Sequence, residues 1–132
     1  MSFSRSRIYA NGVYYVVRRR WMTVVETGPF GVMARRCMAP AELDAAIQMI
    51  ARDPACGDVL VGTGGIRKVR FAVKGRGKSG GVRVVYYYHN EALPVFMLAV
   101  FAKNEKANLS AAERSELGRL VRTLVATYGE KQ

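Results

Sequence analysis

The run Val95-Phe96-Met97-Leu98-Ala99-Val100-Phe101 is apolar throughout, and no feature of this chain limits its fold more. A strand with no polar face reads as buried on both sides, so material must cover each face of the sheet that holds it. The longest apolar stretches are strand-length, which leaves no candidate for a transmembrane helix. A chain of 132 residues suits one compact domain around such a strand. Before the run, Thr23 to Thr27 reads as a first strand and Pro40 opens a helix near 40 to 52, with Leu43, Ile47 and Ile50 at helical spacing. Ile66 to Val73 alternates: Val69, Phe71 and Val73 fall on one face, Lys68 and Arg70 on the other. Val82 to Tyr88 is β-branched and aromatic, hence a further strand. After the run, Ser110-Ala111-Ala112-Glu113 fits a capping box, and Leu117, Leu120, Val121, Leu124 and Val125 give a C-terminal amphipathic helix. The order strand, helix, three strands, helix with short connections favours an α+β fold: a small antiparallel sheet with helices packed on it.

Charge narrows the partner. Lys and Arg total 21 against 10 Asp and Glu, a formal net charge of +11, which points to a polyanion. The excess is concentrated. From Val59 to Asn90 there is no carboxylate, while Arg67, Lys68, Arg70, Lys74, Arg76, Lys78 and Arg83 fall within seventeen positions. A surface charged only for solubility mixes both signs. If the two central strands pair as a hairpin, Arg83 shares an open face with Lys68 and Arg70, and the glycine-rich loop from Gly75 to Gly81 extends the basic surface. Tyr87 lies on the Arg83 face as the candidate for stacking on RNA, whereas Tyr86 and Tyr88 point to the core.

Several chemistries fail on residue type or spacing. Ala72 to Ser79 nearly spells a Walker A loop, but Ala72 replaces its first glycine, and a strand rather than a helix follows Lys78-Ser79. His89 is the single histidine, which excludes a two-histidine nuclease. The carboxylates show no close pairing of the kind a two-metal nuclease uses. Cys37 and Cys56 are too few for a disulfide scaffold or a zinc cage. No metal and no cofactor is expected. The segment Ala102 to Leu109, with Lys103, Asn104, Glu105 and Lys106, is a polar cluster at the end of the buried strand, where a rigid element positions a functional loop.

Residues 1–21 read differently from the rest. They show no helical periodicity, carry five Arg and no acid, and end on Arg18-Arg19-Arg20 and Trp21. They are expected to be either a basic extension upstream of a true start at Met22, or a basic arm in which Val13 to Val17 adds an edge strand. Residues 22–132 form the expected domain. The apolar run Val13 to Val17 is too short for a signal-peptide core, so the reducing cytosol is the expected compartment.

Three blocks of the sequence resemble the HigB-type branch of the RelE-like toxins: Gly62 to Arg70, Gly75 to Tyr86, and Phe101 to Lys106. The resemblance runs from about Thr23 to the last helix. It implies the RelE-like toxin fold and an mRNA interferase that enters the ribosomal A site and cuts the translated message. It also implies neutralisation by a HigA-type helix-turn-helix antitoxin. By the same resemblance Lys68 and Arg70 match paired basic positions on a strand, Arg83 matches an Arg that contacts the scissile phosphate, and Lys103, Glu105 and Lys106 fall in a loop that supplies further catalytic groups. Asn104 stands where the best-known RelE pattern has an Arg, and no Tyr stands near Ser110. Arg67, Lys74, Arg76, Lys78, Tyr87 and Asn104 are the expected RNA-binding residues around the catalytic group. Two other classes fit the cationic composition equally: a non-catalytic basic nucleic-acid-binding module, and an inactive toxin remnant acting through its antitoxin.

Overall fold

The computed structural model describes residues 3–10, 13–74, 81–103 and 108–129. An antiparallel hairpin comes first: β1 (Phe3–Ala10) pairs with β2 (Val13–Arg20), from Phe3 opposite Arg20 to Ala10 opposite Val13. It is a two-stranded sheet of its own, so the Val13 to Val17 stretch pairs within this hairpin and not with the main sheet. Then follow β3 (Val24–Glu26), α1 (Gly28–Cys37), α2 (Pro40–Arg52), β4 (Asp58–Val59), β5 (Ile66–Phe71), β6 (Val82–Tyr87), β7 (Val95–Ala102) and α3 (Ala111–Gly129).

The five strands from β3 on lie in the order β3-β7-β6-β5-β4. The sequential pairs from β4 to β7 are antiparallel, as short connections require. The β3–β7 pair is parallel, so the expected antiparallel sheet is in fact mixed. Adjacency in sequence governs only consecutive strands. β3 joins the sheet from a distance, and Thr27 fixes the departure into α1 by donating its hydroxyl to the Met97 carbonyl at 2.8 Å.

β7 is buried along its whole length, as its composition requires. On one face Val95, Met97 and Val100 pack with Val82, Val84 and Tyr86 of β6 and with Phe30, Ala34 and Cys37 of α1 and Ala46 and Ile50 of α2. On the other, Phe96, Leu98, Ala99 and Phe101 meet Val85 and Tyr87 of β6 and the apolar stripe of α3, Leu117, Val121 and Leu124 among it. Each fully buried Phe or Leu contributes about 2–3 kcal/mol of transfer free energy. A bulge lies at mid-strand: Val85 pairs with Ala99, yet Tyr86 pairs with Met97, so Leu98 is the extra residue. It reverses the alternation of β7 and brings Phe101 onto the face of Phe96, where strict period-two spacing would have sent it the other way.

Three elements, β1, α1 and β4, were not expected from the sequence. α1 hides behind Gly28-Pro29 and Gly31, although Phe30, Ala34 and Cys37 already stand at helical spacing. β4 is only two residues long. Among the described residues no helix is long and apolar enough to cross a membrane.

Candidate functional site

The β5–β6 register decides where the cations point. Residues directly opposite in an antiparallel pair share a face. Arg70 stands opposite Arg83, Lys68 opposite Val85, and Arg83 in turn opposite Phe101 of β7. Arg70 and Arg83 are therefore adjacent on the α3 side of the sheet, with Lys68 one pleat away and the buried Phe101 beside them. Side chains directly opposite each other in a ladder are neighbours, so the register sets the two arginines side by side. The planar forks of arginine suit phosphate oxygens.

Backbone at the strand ends places the neighbours. Gly81, at φ +74°, starts β6 where a Cβ would come within 2.5 Å of the Phe71 carbonyl oxygen, so only glycine fits this turn. Its own carbonyl accepts from the Lys103 N–H at 3.4 Å, which sets Lys103 beside the start of β6, two residues from Arg83. Lys68 Nζ donates to Asn108 Oδ1 at 2.9 Å and so ties β5 to the segment that leads into α3. The α3 start is fixed by a reciprocal capping box: Glu113 N–H donates to Ser110 Oγ at 3.1 Å, and Ser110 N–H to Glu113 Oε1 at 2.9 Å.

Of the residues expected to act in catalysis, Lys68, Arg70, Arg83 and Lys103 thus gather at one end of one sheet face. Glu105 and Lys106 lie outside the described residues, as do Arg76, Lys78 and Asn104 of the RNA-binding set. Lys74 is exposed just beyond β5, and its N–H donates to Glu42 Oε2 at 2.7 Å, so the α2 start holds this corner.

Two residues of that set sit away from the open cationic surface. Arg67 pairs with Tyr86 and so points to the α1–α2 side. Its Nη1 donates to the carbonyls of Gly57 at 2.8 Å and Ala55 at 3.4 Å, bracing the loop after α2. Tyr86 braces the same loop, donating to the Pro54 carbonyl at 2.7 Å and accepting from Gly57 N–H at 2.8 Å; burial, and then Cys56 beside it, push its phenol well above the ordinary range. Tyr87 does share the Arg83 face, but α3 covers that face at its position and leaves it 4% exposed. Its hydroxyl lies 2.9 Å from His89 Nδ1, and burial raises its pKa. A base cannot stack on this ring while α3 is in place.

The contribution of Asn108 was missed in the sequence because its partner is forty residues away. The positive φ at Gly81 is signalled by the glycine itself. Among the described residues no three of His, Cys, Asp and Glu come together as a metal would need. The family model of the RelE toxin of the RelE/RelB toxin–antitoxin system matches residues 22–132.

Proposed function

Since the chain belongs to the RelE toxin family, and is thus the toxin of a toxin–antitoxin system, we propose that it is a ribosome-dependent endoribonuclease that cuts translated mRNA. The domain responsible is 22–132. The observation that carries this reading is the Arg70–Arg83 cross-strand pair, with Lys68 and Lys103 at the same corner.

Cleavage proceeds through the RNA's own 2′-hydroxyl. The 2′-oxygen attacks the adjacent phosphorus, the bond to the 5′-oxygen breaks, and a 2′,3′-cyclic phosphate and a 5′-hydroxyl result. No metal enters this scheme. The proton leaves the 2′-hydroxyl for a general base, and an acid returns one to the departing 5′-oxygen. Arg70 and Arg83 hold the negative charge that builds on the phosphorane, a preorganised electrostatic contribution that commonly dominates. Proton transfer falls to Glu105 or to a lysine, Lys103 or Lys68, with Lys106 supplying further charge. Lys74, Arg76 and Lys78 grip RNA outside the cleaved bond, and Asn104 borders it. The neutralising partner is a helix-turn-helix antitoxin of the HigA type, and the compartment is the cytoplasm.

Primer extension on an mRNA in a purified translation system, with and without ribosomes, tests this reading. Cuts should appear only with ribosomes. Arg83→Ala should lower the rate by about 10²–10³-fold, the range lost when one charge-stabilising donor is removed, with the circular dichroism spectrum unchanged. Full cleavage by Arg83→Ala sinks the catalytic assignment. Tight RNA binding without any cut favours the non-catalytic module.

A further inference from the structure

Along α3, from Arg114 to Ala126, a groove of about 730 Å³ runs between the helix and the turn that follows β4. Three arginines of α3 line it, Arg114, Arg119 and Arg122, and no acidic residue does. Glu113, on the same helix, is turned back to cap Ser110. The opposite wall carries Val61, whose 89% exposure is the highest of any large apolar residue described, and Val125 adds to the apolar floor. Between Arg114 and Arg122, on the same row of the helix, stands Gly118.

Gly118 is the informative residue. Glycine inside a helix costs about 1 kcal/mol relative to alanine. A Cβ there would meet only Arg122 Nη1, at 3.5 Å, an ordinary contact. Nothing in the protein's own packing asks for glycine at this position, so the helix is weakened without any internal return. What the missing side chain does provide is depth, in the middle of a row of arginines and opposite an exposed valine.

We infer that this groove is the docking surface for an acidic amphipathic helix of a partner protein, its carboxylates on Arg114, Arg119 and Arg122 and its apolar residues against Val61, Gly118 and Val125. The chemistry favours peptide over RNA. Phosphates satisfy the arginines, but bases stack best on open aromatic faces, and the one aromatic residue of the lining, Tyr87, is 4% exposed; the aliphatic floor and the arginine row together suit a helix carrying both kinds of side chain. From Arg114 to Arg122 the groove follows α3 for about 12 Å, close to two turns of a docked helix. The groove shares no lining residue with the Arg70–Arg83 corner and does not depend on the ribonuclease reading; naming the partner as an antitoxin rests on the family match.

The test uses the full chain and a fluorescein-labelled peptide of about sixteen residues, long enough to hold a helix, built from Glu, Ala and Leu with leucines at i, i+3, i+4 and i+7. A scrambled peptide of the same composition and an oligouridylate are the controls, read by fluorescence anisotropy. The amphipathic peptide should bind at least about ten-fold tighter than the scrambled one. Gly118→Leu should weaken that binding at least about ten-fold while its melting temperature stays level or rises, a combination that a merely structural glycine would not give. Arg119→Glu should weaken it comparably, with mRNA cleavage unchanged in both variants. Equal binding of the scrambled peptide, or binding that survives Gly118→Leu, overturns the inference. Displacement of the peptide by oligouridylate, with RNA affinity lost in Arg119→Glu, also overturns it and makes the groove an RNA surface. If peptide binding behaves as described but no variant, nor the unaltered chain, cuts mRNA, the ribonuclease reading fails and the docking surface stands.

Discussion

Single residues of one type play opposite parts here, and neighbours decide which. Arg67 and Arg70 are three positions apart on one strand, yet Arg67 braces a loop by bonding to Gly57 and Ala55 while Arg70 faces Arg83. Alternation along β5 separates them. Tyr86 and Tyr87 divide in the same way. The neutral Tyr86 phenol is the form that both donates to Pro54 and accepts from Gly57. Removing it in Tyr86→Phe leaves those backbone groups unpaired and should cost about 1–3 kcal/mol in urea unfolding near pH ~8. The pH dependence follows from the raised pKa. The unfolded phenol ionises near its ordinary value of about 10, while the folded one stays neutral above it. The stabilisation is complete below about pH 10 and is lost as pH rises from there toward the folded value. The stability gap between the unaltered chain and Tyr86→Phe should therefore narrow from about pH 8 to about pH 11. A gap that widens with pH would show that the ionised phenol, not the neutral one, is held in the fold.

At the level of elements, the parts fixed by local chemistry were the legible ones. The helix expected near 40 to 52 is Pro40–Arg52, and the run from Val95 to Phe101 is the strand buried on both faces. The Ser110–Glu113 box bonds in both directions. Ser110→Ala should accordingly lower stability by about 1 kcal/mol, seen as a lower urea midpoint at unchanged slope; no loss would mean that α3 starts elsewhere. What escaped the sequence depends on distant contacts. The parallel β3–β7 pair joins segments about seventy residues apart. The bulge at Leu98 changes which face Phe101 occupies, and no local signal announces it. The burial of Tyr87 depends on α3 lying across its face. For the site, alternation was enough to put Lys68, Arg70 and Arg83 together once β5 and β6 paired. The segment 104–107, which holds Glu105 and Lys106, lies outside the described residues. Gly81 links this scale to the last: Gly81→Ala forces a Cβ against the Phe71 carbonyl at positive φ, and should cost at least about 1 kcal/mol. It should also impair cleavage by moving Arg83 relative to Arg70. Cleavage at the unaltered rate would show that this turn does not set the pair.

For the whole molecule, the net charge of +11 acts at a range that no single contact has. Charge spread over a surface raises affinity for any nucleic acid and steers encounter, whereas only groups held at the reacting phosphate change the rate of the chemical step. The two contributions separate by their response to salt. Each phosphate neutralised releases counterions, so the logarithm of the binding constant falls linearly with the logarithm of salt, by about 0.7 per contact for single-stranded RNA. Lys74 is exposed and stands beyond the end of β5, where its backbone N–H donates to Glu42 Oε2. Its ammonium is placed to add one contact to the total and nothing to the bond that breaks. Lys74→Ala should then flatten the salt slope of RNA binding by about 0.7 and weaken binding at low salt, while cleavage at saturating RNA keeps its rate. Arg83→Ala should do the reverse in kind, with a large loss of rate at saturation, whatever its effect on the slope. If Lys74→Ala lowers the saturated rate as far as Arg83→Ala does, the division between an attracting surface and a reacting corner fails, and the basic stretch from Arg67 to Arg83 acts as one undivided site.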